Sequence, residues 1–374
     1  MKILTFLLLG ALTMSGCCNG SKEWGSHPDL KEADALFEKG TFAEALEAYE
    51  EVYGKTKKEN VRWMAFFRIC ESLTHLYRYG DAAQKLLGTP LPEKMPHRAR
   101  ILILRTELLQ NFLRQYSHIQ SNDVIEGEEG GDVFRKTPAE TKAEIRKAYG
   151  GLWEVREELV AMKVEDEGYY MDLQGVDLGA YPTMFDYLVL SFSEYLLNFE
   201  ATQISDKAVR SAGEELIVES FDRPVNLDDP PALLAAGLME EAGRFETKKR
   251  EEAAERWKVR RLMLPVRRHV FDLKDPEKAG EKAKDILKGW FESFDTKGGA
   301  AEAGYEAASL LAEREQYVEA VELCSKVEST GSGTYAAHEA MLLRSRIQDP
   351  WLDLRAKTVM PPGKGALTVV TRNL

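Results

Sequence analysis

The sequence predicts an all-α body, an array of helical hairpins, that ends in a short β-like C-terminal tail. Three observations predict it. Apolar residues recur at three- and four-residue spacing through most of the chain from Leu30 onward. Alanines stand at regular points of those patterns, where a larger side chain would hold paired helices apart. After Ile347 the pattern turns to alternation, in Trp351-Leu352-Asp353-Leu354 and again in Leu367-Thr368-Val369-Val370-Thr371, with Pro361-Pro362-Gly363 as the turn between them.

The first element lies outside that body. Lys2, an almost unbroken apolar stretch from Ile3, and the small residues of Met14-Ser15-Gly16-Cys17 describe an export signal over residues 1–16. The stretch is too short and wrongly flanked to span a membrane. Cys17 directly after Ser15-Gly16 resembles the lipobox of bacterial lipoproteins, which implies cleavage before Cys17 and acylation of its sulfur and amine. Each buried methylene is worth about 0.8 kcal/mol, so several acyl chains on one residue form a firm anchor. The membrane partner is then reached through Cys17, and the expected location is the bacterial cell envelope, on the outer membrane facing the periplasm. Residues 17–29, polar and small with Pro28, read as the tether.

Helical hairpins follow over residues 30–116. Ala33, Leu36, Phe37, Gly40, Phe42, Ala45, Leu46, Tyr49 and Val52 form a helix-turn-helix pattern that resembles a tetratricopeptide repeat. Ala33 and Ala45 mark the closest approach of its two helices, and Gly40 fits the turn. Ala65, Ile69, Cys70, Leu73, Tyr79 and Ala82 make a second unit, with Ala82 following Ala45 at close to the roughly 34-residue period of such repeats. A third helix, Pro96 to Tyr116, would cover the open face of that pair.

Residues 117–136 read as a loop, acidic and glycine-rich from Glu126 to Asp132. A divergent helical region occupies 137–298. Thr137-Pro138-Ala139-Glu140 opens its first helix with a capping box, and the pattern runs past Trp153 and Leu159 to about Met162. Further helices start near Pro182 and at Asp228-Asp229-Pro230-Pro231, then cover Glu251 to Met263, where Pro265 should kink or end the helix, and Glu281 to Phe294. Residues 299–348 return to the first pattern, with Ala303, Ala308, Leu311, Tyr317, Ala320, Leu323, Cys324 and Val327 in the template positions and a capping helix from Thr334 to Ile347. The predicted architecture is thus a tetratricopeptide-like α-solenoid, packed through Ala33, Ala45, Ala65, Ala82, Ala308 and Ala320, with an extended tail over 349–374.

Composition narrows the function. The 374 residues carry a net charge of −12, which argues against broad binding of nucleic acid or other polyanions. Of the four cysteines, Cys70 and Cys324 lie within helical patterns and read as unpaired core residues, and no pair has the spacing of a zinc site. Two function classes therefore come forward: a binding or spacing body, and an enzyme built on a helical array.

The order of three segments resembles the helical N-terminal region of bacterial alpha-2-macroglobulin-like proteins. These are Tyr181-Pro182-Thr183-Met184-Phe185-Asp186-Tyr187-Leu188, then Tyr317-Val318-Glu319-Ala320 through Ile347, then Val369-Val370-Thr371-Arg372-Asn373-Leu374. The resemblance implies that the tail begins a β-sandwich and that the helices precede a protease-trapping machine. Trapping itself is not carried over, because neither Cys70-Glu71-Ser72-Leu73 nor Cys324-Ser325-Lys326-Val327 matches the thioester pattern Cys-x-Glu-Gln. The alternative is an independent repeat scaffold that gathers envelope proteins; glycan capture by clustered aromatics is a third reading.

A search for chemistry returns no reaction. A glutamate-based glycan lyase would need one of Glu71-Ser72, Glu219-Ser220, Glu292-Ser293 or Glu328-Ser329 to lead into a compact catalytic lobe, and each sits in or beside a helical pattern. His338-Glu339 lacks the second histidine of a zinc-protease helix, since position 342 is Leu342. Gly363-Lys364-Gly365 lacks the strand and helix that flank a phosphate loop. The basic run Arg256, Lys258, Arg260, Arg261, Arg267 and Arg268, interleaved with Trp257 and His269, reads as a solvated face paired with Glu251, Glu252 and Glu255. Trp63, Phe66 and Phe67 read as core. The expectation is a non-catalytic protein with no cofactor, metal or nucleotide, and with protein partners.

Overall fold

A computed structural model describes residues 27–116, 133–173, 176–201, 213–221, 223–245, 250–268, 270–271, 273–356 and 367–372. The expected signal, Cys17 with most of the tether, the acidic loop from Glu126 to Asp132, His269 and the Pro361-Pro362-Gly363 turn lie outside them. The body is all-helical. The chain divides into two compact units, Met1–Phe192 and Ser193–Leu374.

In the first unit a 3-10 turn, Pro28–Leu30, leads into α1 (Lys31–Glu38), α2 (Phe42–Lys55), α3 (Glu59–His75), α4 (Tyr79–Gly88) and α5 (His97–Tyr116). Each packs on its neighbour in sequence, and α3 also meets α5. Leu30, Ala45, Tyr49, Ala65, Phe66, Ile69 and Ala82 fill the space between them. Then come α6 (Pro138–Glu154), α7 (Arg156–Ala161) and α8 (Met184–Tyr195), whose last three residues fall past the unit's end at Phe192. Thr137 caps α6 with the expected reciprocal box, accepting from the Glu140 amide at 3.1 Å while the Glu140 carboxylate accepts from the Thr137 amide at 2.7 Å.

The helix expected to run on to Met162 instead breaks at Val155, whose backbone leaves the helical region at φ −104 and ψ 22. The carbonyl left at that helix end is satisfied by Arg156, whose guanidinium donates to the Trp153 carbonyl at 3.0 Å and lies over the Trp153 ring.

The second unit contains α9 (Pro231–Arg244), α10 (Glu251–Arg267), α11 (Pro276–Ser293), α12 (Lys297–Glu313), α13 (Tyr317–Thr330) and α14 (Tyr335–Gln348). Its core joins Leu262, Leu287, Ala303, Ala308, Leu311, Ala320 and Val327. Pro265 does not end α10, which continues to Arg267; so close to the C-terminus one lost amide bond is tolerated, and the Arg268 amide still reaches the Leu264 carbonyl at 3.0 Å. The next helix begins at Pro276, five positions before the expected Glu281, because Asp275 caps it by accepting from the Lys278 amide at 2.9 Å. After α14, β1 (Trp351–Ala356) pairs antiparallel with β2 (Leu367–Arg372), Trp351 opposite Arg372.

One turn recurs three times. Gly40, Tyr77 and Glu315 have φ of 78, 60 and 61, each directly before the N-cap position of the next helix. In each case the following amide reaches back to a leucine carbonyl: Thr41 to Leu36 at 3.1 Å, Arg78 to Leu73 at 2.8 Å, and Gln316 to Leu311 at 3.0 Å. This is the left-handed helix ending that glycine favours, here built twice without glycine.

Candidate functional site

Between α7 and α8 the chain makes a long excursion whose ends are tied together. Lys163 and Thr183 form an antiparallel bridge, with the Val164 amide on the Pro182 carbonyl at 3.1 Å and the Met184 amide on the Met162 carbonyl at 2.8 Å. The described part of the excursion opens with a 3-10 turn, Val164–Glu167. Its near side turns tightly, the Tyr170 and Met171 amides both reaching the Glu167 carbonyl at 2.8 and 3.0 Å. That turn, Glu167-Gly168-Tyr169-Tyr170, is seated against α1, α3 and α5.

Four side chains hold it, and a fifth, Tyr49, holds one of the four. The Arg100 guanidinium of α5 forks onto the Glu167 carboxylate at 2.7 and 2.8 Å, and its remaining nitrogen reaches the Tyr170 hydroxyl at 3.3 Å while the group lies over the Tyr170 ring. Arg68 of α3 donates to the main-chain carbonyl of Tyr169 at 2.7 Å and stacks over that ring. The Tyr169 hydroxyl donates to Asp34 of α1 at 2.9 Å, and Tyr49 of α2 donates to the same oxygen at 2.6 Å. Phe67 meets the Tyr170 ring edge-on at 5.0 Å. Glu167 is only 3% exposed, so its pairing with Arg100 is a buried, forked contact of the strong kind.

Electrostatics keep these groups in the protonation states the contacts need. Burial works against the charge on Arg68, but Glu71, at 2.8 Å on the same helix, and the neighbouring tyrosines hold its pKa above the ordinary arginine value. Burial raises the Tyr49 and Tyr169 hydroxyls well above the usual range and Tyr170 to about 12, so all three stay protonated and can donate. Burial lowers His75, which lies flat on Phe42 at 4.2 Å. Each charged group named here is matched by a partner, an arrangement suited to gripping a peptide turn.

A second buried cluster joins α5, α6 and α8. Burial pushes Glu107 up to about 7, and the Tyr187 hydroxyl donates to it. Gln110 donates to the Tyr149 hydroxyl at 3.1 Å, which donates in turn to the Ser191 carbonyl at 3.1 Å. These contacts dock helices and present no group to solvent chemistry.

The alanines singled out from the sequence, Ala33, Ala45, Ala65, Ala82, Ala308 and Ala320, are all buried. Cys70 and Cys324 are buried and unpaired, and burial raises both thiols, to about 12 and about 11. Phe66 and Phe67 are buried and Trp63 partly so. Of the glutamate-serine pairs, Glu71 is engaged by Arg68 and Ser72 is buried. Among the described residues no group of three or more histidine, cysteine or carboxylate side chains is placed to hold a metal ion, and no helix is long and apolar enough to cross a membrane.

The basic run corrects the expectation of a solvated face. Arg256 pairs with Glu252 at 2.8 Å as expected for a helix neighbour, yet it is only 4% exposed. Arg261 is fully buried, pairs with Glu240 at 2.8 Å, and donates to the carbonyls of Leu216, Val218 and Glu219. Glu255 turns away from the run to accept from the Asp295 amide at 2.9 Å and from Thr296. Arg261 is a packing element because the chain of residues 216–219 lies against α10 and offers it carbonyls, while Arg256 is held by the carboxylates of Glu252 and Glu302.

Sequence reasoning missed Glu167, Tyr169 and Tyr170, and with them Arg68 and Arg100. The available signal was a tandem tyrosine behind the acidic run Glu165-Asp166-Glu167, in a stretch with no helical period. Compared with known protein families, with curated proteins and with solved structures, the chain finds no match.

Proposed function

We propose that this protein is a non-catalytic lipoprotein of the bacterial cell envelope whose helical body binds peptide segments of other proteins. The observation that supports it most directly is the grip of three helices, α1, α3 and α5, on the turn Glu167–Tyr170, which includes a donor to a main-chain carbonyl. Repeat arrays use stacked helices in this way to hold peptides. In this reading acyl chains on Cys17 hold the body at the membrane, and residues 17–29 let it reach a partner. The three equivalent turns at Gly40, Tyr77 and Glu315 favour a tetratricopeptide-like ancestry for the hairpins. The order of motifs that resembles alpha-2-macroglobulin-like proteins makes the body a binding and spacing region ahead of a β-rich machine, with the β1–β2 pair as the first strands of its sandwich. An independent scaffold differs from this only in what adjoins the body.

The test is twofold. Expressed in a bacterial host with radiolabelled palmitate, the protein should take up label and sediment with membranes, and Cys17→Ala should do neither. Purified mature protein should release no fragments from peptidoglycan. Absence of label, or turnover that one glutamate substitution abolishes, would overturn the reading.

A further inference from the structure

We infer that the groove formed by Asp34, Tyr49, Arg68 and Arg100 is a recognition site for a turn carrying a glutamate followed by paired tyrosines, and that the chain's own loop fills it until a partner protein presents the same turn. The inference rests on the binding-scaffold reading above.

Four observations carry it. First, the loop is tied at its base by the Lys163–Thr183 bridge, so the turn can leave the groove without displacing the ends of α7 and α8. Second, the contacts are of a kind that a separate peptide could make: a carboxylate in an arginine fork, a main-chain carbonyl on Arg68, a hydroxyl on Asp34 and two rings under guanidinium groups. None depends on the covalent link between the turn and the helices. Third, the groove is organised from its own side. Arg68 is held by Glu71, and Asp34 by Tyr49, so the donors and acceptors keep their positions when the turn departs. Fourth, an empty groove would leave Arg100 without its carboxylate, which favours exchange of one turn for another over simple opening.

The chemistry of the occupant defines the partner. It is a protein segment with a glutamate two residues before a tyrosine pair, free to adopt one helical turn, and small at the position of Gly168. The loop competes with such a segment in cis, where its effective concentration is high, so only a tightly held or repeated partner motif displaces it.

The experiment uses mature protein and a fluorescent peptide of residues 163–173. The loop is weakened by Tyr169→Ala with Tyr170→Ala, and the groove is then disabled by adding Arg100→Met. The peptide should bind the loop-weakened protein roughly ten-fold or more tighter than wild type, and the added Arg100→Met should remove that gain. Equal binding to wild type and loop-weakened protein, or no binding to the latter while its helical circular dichroism is intact, overturns the inference. Should the double substitution unfold the protein, hydrogen exchange on wild type decides: the Tyr170 and Met171 amides should exchange about a hundred-fold faster than those of α3 and α5. Equal protection would make the turn an inseparable part of the core and overturn the inference as well. Either failure leaves the scaffold reading standing, since that reading falls only to the lipid label and the peptidoglycan assay.

Discussion

The Tyr169 hydroxyl and the Asp34 carboxylate meet at 2.9 Å although 135 residues of chain separate them. The same oxygen accepts from Tyr49, so one buried carboxylate ties α1 both to its hairpin partner and to the distant loop. Removing the acceptor strands two donors, whereas removing one donor leaves the other bond intact. Asp34→Ala is therefore expected to lower unfolding stability by about 2–4 kcal/mol and Tyr169→Phe by about 1 kcal/mol. Urea denaturation checks both, and equal effects of the two substitutions would contradict the shared-acceptor geometry.

Glu107 gives the first unit a pH dependence of predictable sign. Its pKa rises from the ordinary 4.5 to about 7 in the folded protein, mainly through burial, with Tyr187 opposing and Glu71 reinforcing. Between those values the native state holds a proton that the unfolded chain has lost, so stability falls as pH rises through the window and levels off above it. The loss attributable to this group is on the order of 1–3 kcal/mol. Chemical denaturation at pH 4.5 and 7.5 should show it in wild type, and Glu107→Gln should reduce the difference by that amount. An unchanged difference in the variant would place the dependence elsewhere.

Glu315 occupies a left-handed turn position where its equivalent in the first hairpin is Gly40. A side chain there is strained by roughly 1–2 kcal/mol, and glycine gives back part of that relief through greater freedom in the unfolded chain. Glu315→Gly should stabilise the protein by about 0.5–1 kcal/mol, read as a rise in the denaturation midpoint. Glu315→Ala, which keeps the strain, should not.

Gly304 of α12 lies where side chains of two neighbouring helices press close. A Cβ built on it would stand 2.5 Å from a Val327 methyl of α13 and 2.7 Å from the Phe291 ring of α11. Neither group is the free end of a flexible chain, so the helices themselves must move. Gly304→Ala is expected to destabilise by about 1–3 kcal/mol. Gly289→Ala, on α11 with nothing within 4 Å, should be neutral or stabilising through helix propensity. Thermal melts of the pair separate close packing from a general effect of glycine.

Where the chain repeats a local rule, the sequence by itself determined the outcome. The spacing of Leu36, Ala45, Tyr49, Ala65 and Leu73 dictated helices with one buried face, Gly40 marked a turn, and Thr137-Pro138-Ala139-Glu140 specified a cap, because period, small-residue contact and capping chemistry act over a few residues. The same local reading carried α6 too far, since no glycine or proline marks Val155, where the helix ends. It also put Arg261 in water. Only the tertiary structure decided that this arginine is enclosed by carbonyls from residues 216–219, and that Glu167, Tyr169 and Tyr170 lie in the groove of the first hairpins. Those contacts join residues far apart in the chain, and hydrophobic periodicity carries no record of which distant polar group a buried charge will meet.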